Sequence, residues 1–218
     1  MRRYEDTYRH KGLRKQLIDQ LRGRITDEAV LTALNNIPRH YFLDTALDHF
    51  AYEDRAFPIG DGQTISQPYT VAYQTQLLEV KPGEKILEIG TGSMYQATVL
   101  AEMGAKVYTI ERQKGLFEKT RTFVLRNKYP FLKFFYGDGF EGLPTFAPFD
   151  KIIITAAAPY VPEKLVAQLK PGGRMVVPVD EGDTHQRMLR ITRLPDGNYT
   201  TEAFENFSFV PMLSGKKG

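Results

Sequence analysis

The sequence predicts an α/β fold with a doubly wound, mostly parallel sheet, a helical N-terminal extension and antiparallel strands at the C-terminal edge. Three observations support this prediction. A buried-strand pattern at Lys85–Ile89 runs directly into a glycine turn and then a helix. Strand-like and helix-like patterns alternate from there to residue 180. Beyond residue 180, two alternating segments flank a turn at 194–198, which is typical of a hairpin.

The length and composition favour one domain. The chain has 218 residues and 42% hydrophobic content, which is enough to bury a sizeable core. Within residues 1–218 we expect a helical N-terminal extension and a polar loop in 1–80, the α/β core in 81–180, and a hairpin with a tail in 181–218. No repeat or linker interrupts this order.

Composition also excludes several classes of site. There is no cysteine, which excludes disulfides and thiolate nucleophiles, and four scattered histidines do not suggest a metal site, so we expect none. The net charge of +3 is too small to indicate nucleic-acid binding. No apolar run approaches membrane-spanning length, and no apolar leader follows the first charges. We expect a cytoplasmic monomer with no membrane or nucleic-acid partner.

The N-terminal segment is basic and helical in pattern. A helix is predicted over 5–22, and the segment carries the largest basic excess of the chain, at Arg2, Arg3, Arg9, Lys11, Arg14, Lys15, Arg22 and Arg24. We interpret this excess as a solvated helix face, with a nucleic-acid arm as the alternative. A second helix is predicted from a Thr26 cap to Pro38. Residues 39–61 are predicted to be irregular, with one short helix near Thr45.

The core is predicted to follow a βαβ order. The expected helices cover 69–78, 95–103, 113–127 and 163–169, the last with Pro162 at its first position. The expected strands cover 85–89, 106–110, 132–136, 151–155 and 174–179, and 170–173 is a turn.

A polar loop at 60–69 precedes the helix at 69–78. It contains two glycines, a proline and the polar residues Gln63, Thr64, Ser66 and Gln67. Either Ser66 or Thr64 caps the helix and the other side chains are ordinary loop surface, or this cluster belongs to a functional site.

Three acidic residues fall near the ends of predicted parallel strands: Glu88, Glu111 and Asp138. Ligands of such sheets bind beyond the carboxyl ends of the strands. Glu111 is placed to accept hydrogen bonds from ribose hydroxyls, and Asp138 to reach an adenine amino group or a ribose. The dinucleotide-binding motif has a third glycine at the position of Tyr95, which weakens a dinucleotide as the ligand. An adenosyl cofactor without phosphate needs carboxylates more than an anion-binding turn, so the three acids favour S-adenosylmethionine.

Several motifs, in their order and spacing, carry a family resemblance. They are Ile59-Gly-Asp-Gly-Gln-Thr-Ile-Ser-Gln-Pro68, Leu87-Glu-Ile-Gly-Thr-Gly-Ser93, Gly137-Asp-Gly139, Ala156-Ala-Ala-Pro159 and Leu169-Lys-Pro-Gly-Gly-Arg174. From about residue 10 to residue 212 the chain resembles protein-L-isoaspartate (D-aspartate) O-methyltransferases. The glycine motif is shared by many methyltransferases, whereas the Gln-Thr-Ile-Ser-Gln-Pro loop with the Ala-Ala-Ala-Pro segment is far more specific.

The resemblance implies a Rossmann-like methyltransferase fold. It also implies transfer of a methyl group from S-adenosylmethionine to the free α-carboxylate of L-isoaspartyl residues in damaged proteins and peptides. The ester then collapses through a succinimide towards normal aspartate. Ser66 falls at the family's active-site position, which makes 60–69 the active-site loop. The cofactor positions implied by the resemblance, together with the motif residues considered above, are Gln63, Thr64, Ile65, Glu88, Gly90, Gly92, Ser93, Glu111, Arg112, Asp138 and Gly139.

Met94 departs from the family pattern, which usually has a third glycine there. Its thioether either crowds the cofactor or points into the packing between helix and sheet. His40 and His49 are needed by no motif, and we interpret both as structural. Two alternatives remain open: another S-adenosylmethionine-dependent methyltransferase, for example one acting on RNA, or a non-catalytic binding module of the same fold.

Overall fold

The computed structural model describes residues 4–182 and 185–218. The helices are α1 (Tyr8–Leu21), α2 (Glu28–Asn36), α3 (Pro68–Leu78), α4 (Tyr95–Glu102), α5 (Lys114–Lys119) and α6 (Glu163–Val166). The strands are β1 (Phe57–Gly60), β2 (Gln63–Ile65), β3 (Lys85–Ile89), β4 (Lys106–Glu111), β5 (Leu132–Tyr136), β6 (Phe149–Ile154), β7 (Leu169–Asp180), β8 (Gln186–Arg193) and β9 (Tyr199–Phe207).

A seven-stranded sheet in the order β5-β4-β3-β6-β7-β8-β9 forms the centre. Strands β5, β4, β3, β6 and β7 run parallel, while β8 and β9 join antiparallel at one edge. The predicted fold class is confirmed. Strand order reverses between β3 and β6, and the carboxyl ends of those two strands are where such a sheet binds ligands.

Both faces of the sheet are buried, which is why its central strands are mostly apolar, with Glu88 on β3 and Lys151 on β6 among the buried exceptions. Ile86, Val107 and Ile153 face one core, which also contains the buried sides of α1 to α4. Leu87 and Ile152 face a second core on the side of α6. Because successive strand residues point to opposite faces, each central strand serves both cores. Helices α1 and α2 therefore pack on the sheet's own core.

Helix α2 starts one residue later than predicted. Asp27, not Thr26, caps it, and the Asp27 carboxylate accepts from the amides of Ala29 and Val30. The Thr26 amide is instead held by the side chain of Gln76 on α3, at 2.8 Å. A contact between distant segments thus determined which of two good capping residues was used.

Residues 39–65 are more regular than predicted. Two 3-10 helices, Arg39–Phe42 and Thr45–Phe50, precede a small antiparallel hairpin of β1 and β2. Asp61 and Gly62 at its turn have φ of 54° and 69°, as a two-residue turn of this hand requires. The Asp-Gly pair was the overlooked sequence signal for this hairpin.

Helix α5 is much shorter than the helix predicted at 113–127. It gives way to a 3-10 turn at Thr120–Thr122. The Thr120 hydroxyl donates to the Phe117 carbonyl at 2.7 Å, and the Thr122 hydroxyl donates to the Lys119 carbonyl at 3.1 Å. Hydroxyls that bond nearby carbonyls compete with the helical backbone, so the regular helix ends here.

The segment after β6 also differs from prediction. Helix α6 covers only Glu163–Val166, with Pro162 as its N-cap and not its first residue. Residues 170–173, predicted as a turn, belong to β7. A Cβ at Gly173 would lie 2.9 Å from the Asp150 carbonyl oxygen, so glycine allows the two strands to approach where their register shifts. Over the described ranges, no helix has the length and apolarity needed to cross a membrane.

Candidate active site

A cavity lies beyond the carboxyl ends of β3, β4 and β6, as the strand order requires. The sequence-predicted residues that line it are Gln63, Thr64, Ile65, Ser66, Gly90, Gly92, Ser93, Glu111, Arg112 and Gly139. Ten of the twelve predicted site residues thus meet at one place, although they come from four separate segments of the chain. Glu88 and Asp138 are the two that do not line it.

The glycine turn after β3 leaves no room for a side chain. Gly90 has a φ of 98°, and a Cβ there would lie 2.6 Å from the Thr155 hydroxyl oxygen. That hydroxyl donates to the Gly90 carbonyl at 2.9 Å. The Gly90 amide donates in turn to the Ile110 carbonyl at the end of β4. The turn is therefore anchored to both neighbouring strands and forms the floor of the cavity.

Glu111 is the carboxylate best placed to hold a ligand. It is 4% exposed and lines the cavity at the end of β4. Its Oε2 accepts from the Gly92 amide at 2.9 Å, and its Oε1 accepts from the Gln113 amide at 2.8 Å. A carboxylate has about four acceptor positions, so two remain for ribose hydroxyls. The bonds to Gly92 and Gln113 also keep the side chain in one orientation.

The polar loop crosses the opening of this cavity. Gln63, Thr64 and Ile65 form β2, and Ser66 follows between β2 and α3. Neither Thr64 nor Ser66 caps α3, whose N-cap is Gln67. Asp54 performs the capping from another segment, with its carboxylate accepting from the Tyr69 amide at 2.8 Å. Ser66 is consequently not needed by the helix and faces the cavity.

Glu88 is placed differently from the prediction. It is 0% exposed, beneath α4, and both carboxylate oxygens lack a hydrogen-bond partner among the described residues. Burial raises the pKa of Glu88 to about 8, and the nearby charge of Glu111 acts in the same direction. The correction follows from strand alternation: Glu88 points into the helix-covered core, not along the strand towards the cavity.

Asp138 is engaged by the chain's own C-terminal tail. Its Oδ2 accepts from the Gly215 amide at 2.6 Å, and its Oδ1 accepts from the Phe140 amide at 2.9 Å. It lines a neighbouring cavity, separated from the first by Met212 and Leu213, which line both. Asp138 therefore does not join the other predicted site residues, because the tail lies between them.

The tail itself is a part of the site that motif analysis missed. Residues 210–213 line the cavity, and the Met212 amide donates to the Ala157 carbonyl at 2.7 Å. Arg112 donates to the carbonyls of Ser214 and Gly215 at 3.2 and 2.9 Å. The Ala156-Ala-Ala-Pro159 motif was the available signal, since its backbone pairs with this tail.

Met94 points away from the cofactor cavity. It adopts a left-handed conformation, with φ of 73°, and is the N-cap of α4. Its side chain lines a separate cavity with Leu43 and Phe123 and packs against the main core. Of the two hypotheses for this residue, the geometry supports packing between helix and sheet, not crowding of a ligand.

A second groove adjoins the cavity and shares four of its lining residues: Thr64, Ser66, Thr155 and Val210. Arg24 and Glu205 stand at its edge, 3.4 Å apart, and the Tyr69 hydroxyl donates to Glu205 at 3.0 Å. The cavity thus opens into a groove of mixed charge at Ser66, where an extended chain can approach.

The basic N-terminal segment is largely committed to ion pairs. Arg14 is buried against Asp6, and Arg22 and Arg24 pair with Glu28 and Glu205. Arg2 and Arg3 lie outside the described residues. The pairs agree with a solvated, internally compensated helix face.

Two buried histidines form a polar cluster under α1 that the sequence did not suggest. His10 and His40 stack with ring centres 3.8 Å apart. His10 pairs with Asp48 at 3.0 Å, and His40 with the Tyr52 hydroxyl at 2.8 Å. Together with Asp6, the two rings are close enough to one another to offer ligands to a metal. The ring nitrogens of both histidines already have protein partners, so we interpret the cluster as structural.

Comparison with known proteins identifies the family. The family model described as Protein-L-isoaspartate(D-aspartate) O-methyltransferase (PCMT) matches residues 11–217. The chain belongs to this family. A protein-L-isoaspartate O-methyltransferase of Cytophaga hutchinsonii is 56% identical over 215 residues, which are 98% of this chain and 96% of that protein. A relative of the same name from Flavobacterium johnsoniae is 53% identical, with 97% of this chain and 99% of the relative covered.

Solved structures of the family show the same fold. One protein-L-isoaspartate O-methyltransferase superimposes with a TM-score of 0.82 at 28% identity, covering 91% of this chain and 65% of that one. A putative member from Plasmodium falciparum, solved in complex with S-adenosyl-L-homocysteine, has a TM-score of 0.79 at 26% identity. It covers 94% of this chain and 98% of its own. The Rossmann-like methyltransferase fold inferred from the motifs is therefore confirmed.

Proposed function

We propose that this protein repairs isoaspartyl damage. It transfers a methyl group from S-adenosylmethionine to the free α-carboxylate of L-isoaspartyl residues in proteins and peptides, and the ester then closes to a succinimide that can hydrolyse to normal aspartate. The observation that carries this proposal is the family match over residues 11–217, with the Ser66 loop at the mouth of the cavity. The protein is thus an S-adenosylmethionine-dependent carboxyl methyltransferase.

The residues around the cavity fit an adenosyl cofactor. The glycine turn provides a floor that a Cβ at Gly90 would fill, and Glu111 keeps acceptor positions for ribose hydroxyls. Tyr95 stands where a pyrophosphate-binding turn would want a third glycine. S-adenosylmethionine, when bound, supplies a sulfonium methyl group. We propose that Gln63, Thr64, Ile65, Gly90, Gly92, Ser93, Glu111, Arg112 and Gly139 hold this cofactor.

Asp138 and Glu88 have narrower roles in this proposal. Asp138 reaches an adenine ring only where its bond to the Gly215 amide or the adjacent tail gives way. Glu88 does not line the cavity, so we do not place it among the ligand contacts. The adenosyl group is consequently recognised mainly by Glu111 and by the backbone around the glycine turn.

Ser66 orients the substrate carboxylate. Ser66 lines both the cavity and the groove, so its hydroxyl can donate to one carboxylate oxygen of a substrate while the other oxygen attacks the methyl carbon. A carbon–oxygen bond forms, the carbon–sulfur bond breaks, and the electron pair stays on sulfur. No proton moves, because a carboxylate with an ordinary pKa near 4 is already ionised at neutral pH. The site therefore needs placement and exclusion of water, not a general base.

The test is the variant Ser66→Ala. Loss of one hydrogen bond to a charged group corresponds to roughly 1.5–3 kcal/mol, so kcat/KM for an isoaspartyl peptide should fall by roughly 10- to 100-fold. Affinity for S-adenosylhomocysteine, measured by calorimetry, should stay within about twofold. The normal aspartyl peptide serves as the matched control substrate. If both quantities fall together, Ser66 belongs to the cofactor site and this role is wrong.

We further propose that residues 1–218 act as one domain and as a monomer in the cytoplasm, on proteins and not on RNA. One core cluster that joins α1 and α2 to the sheet supports the single domain. The exposed large apolar side chains are scattered over many elements, which supports a monomer. Light scattering checks the oligomeric state. RNA binding with a steep salt dependence and no isoaspartyl activity would contradict the protein substrate.

A further inference from the structure

Arg39 contacts the backbone of the active-site loop from outside the cavity. Its side chain is completely buried, at 0% exposure. One terminal nitrogen, Nη2, donates to the carbonyl oxygen of Ser66 at 3.0 Å. No motif in the sequence singled out this position, and it does not line the cavity. The contact nevertheless places a rigid cation directly against the backbone of the residue that faces the substrate.

The same guanidinium joins three segments around the site. Its Nε donates to the Ala51 carbonyl at 3.0 Å, and Nη2 also reaches the Arg55 carbonyl at 3.4 Å. Its central carbon lies 4.9 Å from the centre of the Tyr95 ring. Tyr95 is the first residue of α4 and lines the cavity. Arg39 therefore links Ser66 to the helix that follows the glycine turn.

Packing alone does not account for an arginine at this position. Burying a guanidinium carries a large desolvation penalty, and an apolar side chain of similar volume fills such a space without that penalty. Nη1 has no hydrogen-bond partner among the described residues, so the desolvation is only partly compensated. An apolar side chain could not hold the Ser66 carbonyl. The planar fork of arginine, which offers several donors in fixed directions, suits that task.

We propose that Arg39 is a positioning residue for methyl transfer. Its guanidinium fixes the Ser66 backbone, and hence the direction of the Ser66 hydroxyl, relative to α4 and the glycine turn. This inference rests on the role proposed above for Ser66. A misplacement of about 1 Å at a reacting centre can cost on the order of 100-fold in rate. Loosening the contact between Arg39 and Ser66 should therefore lower the rate of methyl transfer without changing the affinity for the cofactor.

The experiment is a double-mutant cycle with Arg39→Lys and Ser66→Ala. Lysine keeps the charge but has no planar fork. Arg39→Lys should lower kcat/KM for an isoaspartyl peptide by about tenfold, while affinity for S-adenosylhomocysteine, measured by calorimetry, stays within about twofold. In the Ser66→Ala background the same change should lower kcat/KM by less than about twofold, because the hydroxyl that it positions is gone.

Arg14→Lys is the matched control. Arg14 is also a buried arginine, at 7% exposure, and it donates to the Asn35 carbonyl, Asp6 and Tyr52. It belongs to α1, and none of these three partners lies in the Ser66 loop. Arg14→Lys should lower the melting temperature to a similar degree as Arg39→Lys. Assayed below both transitions, it should leave kcat/KM unchanged.

The outcomes distinguish a positioning role for Arg39 from a purely structural or cofactor-binding role. An equal loss from Arg39→Lys in both backgrounds, or a parallel loss of cofactor affinity, overturns the positioning role. Should lysine prevent folding, Arg39→Met removes the buried charge altogether; a folded Arg39→Met protein with full activity also overturns it. Full activity of Ser66→Ala alone would instead overturn the role of Ser66, which separates the two failures.

Discussion

Glu88 gives the protein a pH-dependent instability that a single amide substitution should remove. The side chain is 0% exposed, in register with Thr109 on β4 and Ile153 on β6, and covered by α4. Burial raises the pKa of Glu88 from 4.5 to about 8. In the unfolded chain the group ionises near its ordinary value, so between these two values folding must take up a proton.

The sign of the effect follows from that proton uptake. Well below pH 4.5 the carboxyl is neutral in both states and adds no pH-dependent cost. As pH rises, stability falls by about 1.4 kcal/mol for each pH unit until the folded group ionises, which amounts to at most about 5 kcal/mol. At pH 7.5 the penalty is therefore roughly 4 kcal/mol. Glu88→Gln keeps the shape but has no proton to take up, so its stability should lack this slope.

Urea unfolding of both proteins from about pH 5.5 to about pH 8.5 measures the effect. The stability of Glu88→Gln relative to the original protein should increase steadily with pH. Any constant cost of burying an amide cancels in this slope. Parallel stability curves for the two proteins over the whole range would show that folding takes up no proton at Glu88.

Glu102 provides the control with the opposite sign. Burial alone would raise the pKa of Glu102, but hydrogen bonds from Tyr129, Lys128 and Asn36 hold it below its ordinary value. This carboxylate therefore stabilises the fold above its unfolded pKa, and that contribution is lost as pH falls. Glu102→Gln should be less stable than the original protein at neutral pH, with the difference shrinking towards acid.

Two further variants test the site. Met94→Gly should be more stable than Met94→Ala by about 1 kcal/mol, because alanine keeps the left-handed strain that glycine relieves, and both lose the same packing. Thermal unfolding checks this order, and both variants should bind S-adenosylhomocysteine as the original protein does. Glu111→Gln should lower the affinity for S-adenosylhomocysteine, measured by calorimetry, by roughly tenfold. The glutamine side chain has one acceptor oxygen, so it cannot accept from the backbone amides of both Gly92 and Gln113. Glu141→Gln, an exposed glutamate paired with Lys164, is its control and should bind normally.

The order of the sheet's elements was predictable because strand and helix periodicity are local properties. The run Lys85–Ile89 places apolar residues on both faces, with Glu88 as the buried exception, and the glycines after it allow a tight turn. Both follow from adjacent residues. Helix α5 was predicted too long because the pattern over 113–127 is helical in hydrophobicity, whereas Thr120 and Thr122 end the helix through hydroxyl bonds. The spacing of hydrophobic residues gives no information on whether threonine hydroxyls compete with the backbone for the helix carbonyls.

The contents of the site were predictable only where a motif or a strand end indicated them. The Ser66 loop comes from a motif and Glu111 from its position at the end of a predicted strand, and the structure brings them to one cavity. Glu88 and Asp138 belong to motifs too, yet one is buried under α4 and the other is held by Gly215. Which way a carboxylate points depends on strand alternation and on a tail more than seventy residues away, and a motif records neither.

Local patterns in the sequence predict the fold class and favour S-adenosylmethionine, and the resemblance of its ordered motifs to one family implies the reaction, because each of these depends on residues close together in the chain or on motifs in a set order. The residues that complete the site follow from the tertiary structure alone. It brought residues 210–213 over the cavity, turned Met94 away from it, and placed Arg39 against the Ser66 carbonyl. These are contacts between distant segments, formed when two cores pack around one sheet, so no local pattern could report them.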